Sequence, residues 1–324
     1  MNSPTSPSPH PVKHSDSQDT APSHTRSVVV GLDGRGRSVS ALVWAAAEAE
    51  RGGTTLTLVS AHPEGTSTPD PVGAHDLSAL APRLTLADVR RTEVAGEPVT
   101  ALLDAAAQAD AVVVGCRSMR PTQHIVLGSV SLAVARWSPV PTIVVPEAWM
   151  QPSMASAPLV VGVRPVNLDR PGGQEESDDE VLDFAFARAA ALTVPIAVVS
   201  AWEIPTLRAW SPDDVQHLRA EHQEALERLL APWQESYPSV EVSIHSVAEK
   251  PDQALLEASR VAQLVVVGRH HSAALSGLIG STARNILRHA TRPVAVIPAG
   301  TRDELVRDLA VHRSLAERPW APTF

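Results

Sequence analysis

The sequence predicts an α/β protein built as two tandem, doubly wound parallel-sheet domains of five strands each. Two observations carry the prediction. The same landmarks recur in the same order in both halves, and each half alternates short Val/Ile/Leu runs with helical stretches. Thus SVVVGLDG (27–34) matches PLVVGVRP (158–165), and SALVWAAAEAE (40–50) matches EVLDFAFARAA (180–190). LTLVSAHP (56–63) matches IAVVSAWEIP (196–205), and EPVTALLDAAAQADAVVVG (97–115) matches KPDQALLEASRVAQLVVVG (250–268). RWSPVPTIVVP (136–146) matches RHATRPVAVIP (288–298). Continuous apolar runs such as VVVG and TIVV suit strands covered on both faces. Right-handed βαβ crossovers then give an open sheet.

In chain order, the amino-terminal 1–25 is rich in Pro, Ser, Thr and His, with little to bury, and reads as a disordered tail. The first domain covers 26–147, with strands expected near 27–32, 55–61, 87–94, 111–115 and 141–145 and helices near 38–51, 98–108 and 129–137. The helix at 38–51 places Leu42, Ala45, Ala46 and Ala49 on one face and stops at Gly52-Gly53. Pro98 suits the first turn of the next helix, where its missing N–H costs nothing. Between the second and third strands the first half offers only a stub, 74–84. A Pro/Met/Ser/Ala-rich linker, 148–157, leads to the second domain, 158–298. That domain has an insertion at 166–179 and a long helix at 211–233, with Ser211 as N-cap and Pro212 at the first helical position. Over 299–324, Leu305, Leu309 and His312 share a face; a short docking helix and a frayed tail are both open readings.

At 324 residues the chain can bury two cores, and 44% hydrophobic with 19% charged residues is a globular balance. A formal charge of −9 argues against broad binding to nucleic acid or anionic membranes. No apolar run approaches the length of a membrane span, and the amino terminus lacks the apolar stretch of a secretory signal. Cys116, the single cysteine, excludes an internal disulfide and fits a reducing, cytoplasmic setting. A neighbouring Arg117 would lower its pKa and sensitise it, against the commoner reading of an inert thiol. His270-His271 and His289 lack a nearby Cys or acidic cluster and read as surface residues rather than metal ligands. No Gly-x-Ser-x-Gly elbow, Walker loop or Gly-x-Gly-x-x-Gly stands at a strand–helix junction, and no base is paired to a nucleophile.

One stretch in each half is a candidate phosphate loop. VVVGCRSMRPTQHIVLGSVS (112–131) runs from a strand-ending glycine to Gly-Ser at a helix start, and VVVGRHHSAALSGLIGSTAR (265–284) does so again. Glycine lets backbone approach a ligand, and free N–H groups with the positive dipole end favour an anion. Strand-ending glycines and serine caps also occur in α/β proteins that bind nothing there, so both readings stay open on chemistry alone.

The VVVGLDG opening and the VVVG…LGSVS…SPVPTIVVP closing run resemble the universal stress protein family, in its tandem two-domain form, over roughly 26–298. The resemblance implies a Rossmann-like parallel sheet ordered 3-2-1-4-5 in each domain, with the first and fourth strands adjacent. In nucleotide-binding members the loop reads G-x2-G-x9-G-[ST]. Carried over, Asp33 is the acid that meets adenine, and Gly115, Gly128 and Ser129 are loop anchors, followed by Val130 and Ser131. Ser118 takes the place of the second loop glycine; if that position needs positive φ, a side chain there adds strain. Pro121 stiffens an interior without the usual glycines. In the second half Arg164 replaces the acid and His271 the second glycine, and the spacing to Gly280 is one residue short. The implied function is a non-catalytic cytoplasmic stress-response regulator or scaffold that binds ATP or a related adenine nucleotide, with Mg²⁺, in the first domain. A nucleotide-free scaffold acting through protein partners, its halves packed through their fifth strands, 141–145 and 293–297, with a homodimer of whole chains also open, is the alternative; a slow ATP hydrolase is a weaker third.

Overall fold

The computed structural model describes residues 26–33, 36–62, 89–119, 124–126, 128–150, 156–164, 178–202, 211–269 and 279–316. The expected tail at 1–25, the stub helix at 74–84, half of the linker, most of the insertion, and His270-His271 fall outside them. Within them the apolar runs become strands and the periodic segments become helices. The first half contains β1 (Ser27–Leu32), α1 (Val39–Gly52), β2 (Thr55–His62), β3 (Val89–Ala95), α2 (Pro98–Ala106), β4 (Ala111–Met119), β5 (His124–Val126), α3 (Ser129–Trp137) and β6 (Thr142–Pro146). The second contains β7 (Leu159–Gly162), α4 (Asp179–Leu192), β8 (Ile196–Ala201), α5 (Pro212–Ser236), β9 (Val242–Val247), α6 (Pro251–Ser259), β10 (Leu264–Arg269), α7 (Ser281–His289) and β11 (Val294–Pro298). A last helix, α8 (Arg302–Ala316), follows, with Leu305 and Leu309 buried.

Local chemistry sets the helix ends. Gly53 closes α1 in the left-handed conformation at φ 58°, where its lack of a Cβ removes the strain. Ser211 and Asp214 form a reciprocal capping box at α5, with Pro212 in the first turn. Glu97 caps α2 by accepting from the Thr100 N–H at 2.8 Å.

All the main strands join one sheet in the order β3-β2-β1-β4-β6-β11-β10-β7-β8-β9. Each half is thus parallel and ordered 3-2-1-4-5, and the two meet along antiparallel β6 and β11. One face of the sheet buries Leu42, Leu56, Phe186, Leu226 and Leu230, and the other Leu102, Val134, Leu255, Ile286 and Leu309. The repeat extends to packing detail. A Cβ on Gly31 would lie 3.0 Å from a Leu102 methyl, and one on Gly162 2.8 Å from a Leu255 methyl. In both halves the first strand is glycine where the helix following the third strand presses closest.

The strand count departs from expectation. The first half has a sixth strand, because β4 runs on past Gly115 and turns back as β5. The register is antiparallel: Arg117 opposite Val126, Ser118 opposite Ile125 and Met119 opposite His124. Ile125 and Val126 are good strand formers, and 116–119 carries no glycine to break the extended chain. Ser118 therefore lies in extended strand backbone, and the positive-φ strain expected there does not arise. Among the described residues no helix is long and apolar enough to cross a membrane.

Candidate functional site

The carboxyl ends of β1 and β4 lie side by side, since Val28, Val29 and Val30 pair with Ala111, Val112 and Val113. Asp33 leaves β1 at this edge and Gly115 lies in β4 beside it. In an open α/β sheet this crevice, where the strand order reverses, is the ligand position. Asp33 is one-third exposed and held from two sides. Arg37 Nε donates to its Oδ2 at 2.7 Å, and Ser38 Oγ donates to Oδ1 at 3.2 Å while accepting the Asp33 N–H at 3.1 Å. Ser38 stands in the N-cap position of α1, yet its hydroxyl orients Asp33 instead of capping the helix. The carboxylate is thus fixed before any ligand arrives, with a cation beside it.

The other wall is the start of α3. Gly128 is its N-cap at φ −63°, ψ 151°, a conformation open to any residue. Among the described residues, a Cβ built there would find Ser131 Oγ at 3.8 Å as its nearest neighbour. Neither its backbone geometry nor its packing against the described residues calls for glycine. Ser129 follows, exposed, in the first turn with its free N–H groups. Val130 is half-buried against the apolar layer.

Ser131 is different: only 5% exposed, it donates from Oγ to the Gly115 carbonyl at 2.6 Å. Its hydroxyl ties the two ends of the loop together rather than pointing outward. A Cβ on Gly115 would meet the Arg37 carbonyl at 3.5 Å and Ser38 Cα at 3.8 Å, ordinary contacts that leave room for little more than a methyl. The side chain of Ser118 lies outside the described residues, so the structure brings together Asp33, Gly115, Gly128, Ser129 and Ser131. Arg37 and Ser38 were missed by the sequence reading. The signal available was a capping-type serine five residues after the strand-ending acid.

Cys116 follows Gly115 but is buried, and its thiol is pushed up to about 12 by burial and then by the nearby Glu147 charge. The sensitised-thiol reading fails because burial raises the thiol's pKa instead of lowering it. Among the described residues no cluster of three or more His, Cys, Asp or Glu could hold a metal.

The second half repeats the frame with altered chemistry. Arg164 stands at the Asp33 position, and its backbone N–H donates to Asp178 Oδ2 at 2.6 Å. Asp178 occupies the place of Ser38, so acid and partner have traded ends. Gly280, at φ −54° and ψ 154°, has nothing among the described residues within 4 Å of an added Cβ. At the Cys116 position, Arg269 is buried and donates to the Ser138 carbonyl of the first half at 2.7 Å. Burial pulls its pKa down to about 10, with Asp308 opposing.

A tandem, doubly wound α/β chain with a strand-one acid and a glycine-to-helix-start loop is the class this geometry defines. The sequence profile of the universal stress protein family matches residues 24–146 and 168–298, and the chain belongs to that family. The universal stress protein Rv1996 of Mycobacterium tuberculosis is 28% identical over 307 residues, covering 83% of this chain and 94% of that protein. Two solved structures share the fold at 16% identity. The functionally unknown protein PA1789 of Pseudomonas aeruginosa superposes with a TM-score of 0.63 over 90% of this chain and 98% of its own. A universal stress protein of Archaeoglobus fulgidus does so at 0.60 over 85% and 99%.

Proposed function

We propose that this protein is a non-catalytic, cytoplasmic stress-response regulator or scaffold whose first half binds ATP or a related adenine nucleotide. The observation that carries the reading is Gly128. It is a glycine at a helix start whose φ and ψ suit any residue and whose added Cβ would meet only Ser131 Oγ among the described residues, with Asp33 fixed across the same crevice. In this reading Asp33 accepts from the adenine and Gly115 lets the ribose approach. Gly128 and Ser129 offer N–H groups and a hydroxyl to the phosphates, with Mg²⁺ held among the phosphate oxygens. Val130 completes the turn, Ser118 in β4 is a further nucleotide position, and Ser131 braces the loop. The working units are 26–147 and 158–298, joined by 148–157. Arg164 at the acid's position argues for leaving the second half without nucleotide.

Calorimetric titration with ATP and Mg²⁺ tests the proposal. Saturable heat is expected, lost in Asp33→Ala and Ser129→Ala chains that keep the parent melting temperature. No heat from folded protein, with a competent control, overturns it.

A nucleotide-free scaffold is favoured by a separate observation. The β4–β5 hairpin replaces part of the glycine loop and lies alongside α7 of the other half. Adenine nucleotide retained through gentle purification would end that alternative.

A further inference from the structure

The two halves are related by an approximate two-fold axis. By the repeat alignment Ile143 and Ala295 are equivalent, and they sit directly opposite each other in the antiparallel β6–β11 pair. Thr142 and Val144 face Val296 and Val294, which are each other's equivalents in turn. Such an axis makes every residue on it meet its own counterpart.

A second pair on the axis carries opposite charges. Glu48 of α1 and Arg188 of α4 occupy the same place in the matched blocks 40–50 and 180–190, as do Trp44 and Phe184. Arg188 grips Glu48 in a two-pronged bond, Nη1 to Oε1 at 2.5 Å and Nη2 to Oε2 at 2.7 Å. Its guanidinium carbon lies 4.9 Å from the Trp44 ring centroid and 6.0 Å from that of Phe184. The side chains are 11% and 24% exposed, so water screens the charges weakly. Arg51 adds a second cation to Glu48 at 2.6 Å.

We infer that Glu48 and Arg188 form a pairing code by which each half selects the other half and rejects a second copy of itself. The seam strands cannot discriminate on their own. TIVVP and VAVIP are both buried throughout, and neither carries a charge that would mark its partner from a copy of itself. A symmetric pairing of two first halves would set Glu48 against Glu48, and of two second halves Arg188 against Arg188. Like charges held together away from water are the repulsive element that specificity requires. The partner this surface fits is therefore a half of opposite sign, whether from the same chain or from another copy. No ligand enters the argument, which stands apart from the nucleotide proposal.

The test uses full-length chains. E48R places Arg against Arg188, and R188E places Glu against Glu48, so each should close poorly on itself and melt lower. When differently tagged E48R and R188E chains are refolded together, exchange of halves restores opposite charges at both seams. A two-chain species containing one of each is expected, at least tenfold over either same-chain pair by native mass spectrometry. The double reversal E48R/R188E should recover most of the lost melting temperature within one chain, short of all because Arg51 stays beside position 48. By the pseudo-symmetry, Trp44 and Phe184 still flank the transplanted guanidinium. Single reversals that melt like the parent overturn the inference. So do a random mixture of two-chain species and a double reversal no better than the singles. If the singles do not fold, recovery in the double reversal alone decides it.

Discussion

Replacing Gly128 by alanine separates the two reasons for a glycine at a helix start. Its φ and ψ suit any L-residue, and among the described residues an added Cβ approaches nothing closer than Ser131 Oγ at 3.8 Å. Loss of unfolded-chain freedom favours the alanine by about 0.4–1 kcal/mol. Alanine is a poorer N-cap than glycine by about 0.5–1 kcal/mol. The two nearly cancel, so stability should move by less than about 0.5 kcal/mol, a melting shift within about 2 °C. If phosphate approaches the Gly128 backbone, the new methyl stands in its way. ATP affinity should then fall at least tenfold, about 1.4 kcal/mol. Gly162→Ala is the internal contrast. Its Cβ would lie 2.8 and 3.1 Å from the two Leu255 methyls, costing about 1–3 kcal/mol, with no effect on ATP in the other half. Thermal melts and calorimetry on both variants provide the assay. A Gly128→Ala chain that melts several degrees lower refutes the local geometry, and one that binds ATP like the parent refutes a phosphate at that position.

Ser131→Ala removes the buried bond to the Gly115 carbonyl and should cost about 1–2 kcal/mol in denaturant unfolding. Its effect on ATP affinity should be smaller than that of Ser129→Ala, since the Ser131 hydroxyl is used inside the protein. With its thiol near 12 and buried, Cys116 should resist a disulfide reagent at about pH 8, where roughly one thiol in ten thousand is ionised, and should react once the chain is denatured. Burial alone would raise the Glu48 carboxyl, but Arg188 and then Arg51 override it and hold it below the ordinary value. The stabilisation is thus complete above the usual carboxylate range of about 4.3 and disappears as pH falls through the lower folded-state value. Urea unfolding over about pH 3–6 should show this acid limb, flattened in Arg188→Met.

The strands and helices near Asp33 were legible because burial on both faces of a parallel sheet writes itself as uninterrupted Val/Ile runs. The Gly53 stop and the Ser211-Pro212 start were legible because caps are chemistry of adjacent residues. The strand order came from resemblance to a family, not from spacing. The β5 strand was not legible: three residues, His124 to Val126, are too few to show a period, and their partner strand was expected to end at Gly115. Ser131 was expected at the phosphates because hydroxyls after Gly-Ser look alike in sequence. Its burial, and so the direction of its hydroxyl, depends on β4 passing beneath α3.

The family resemblance marked the missing acid at Arg164; by itself the sequence determined the duplication, the alternation of strand and helix, and the glycine-to-helix-start loop. Each is a pattern within a few tens of residues, set by hydrophobic period and capping. The pairing of β6 with β11 was expected from the family resemblance, but tertiary structure alone decided that Arg269 crosses to Ser138 and that Glu48 meets Arg188 from 140 positions away. Those contacts follow from which sheet edges and helix faces can be buried together, and no local period records that choice.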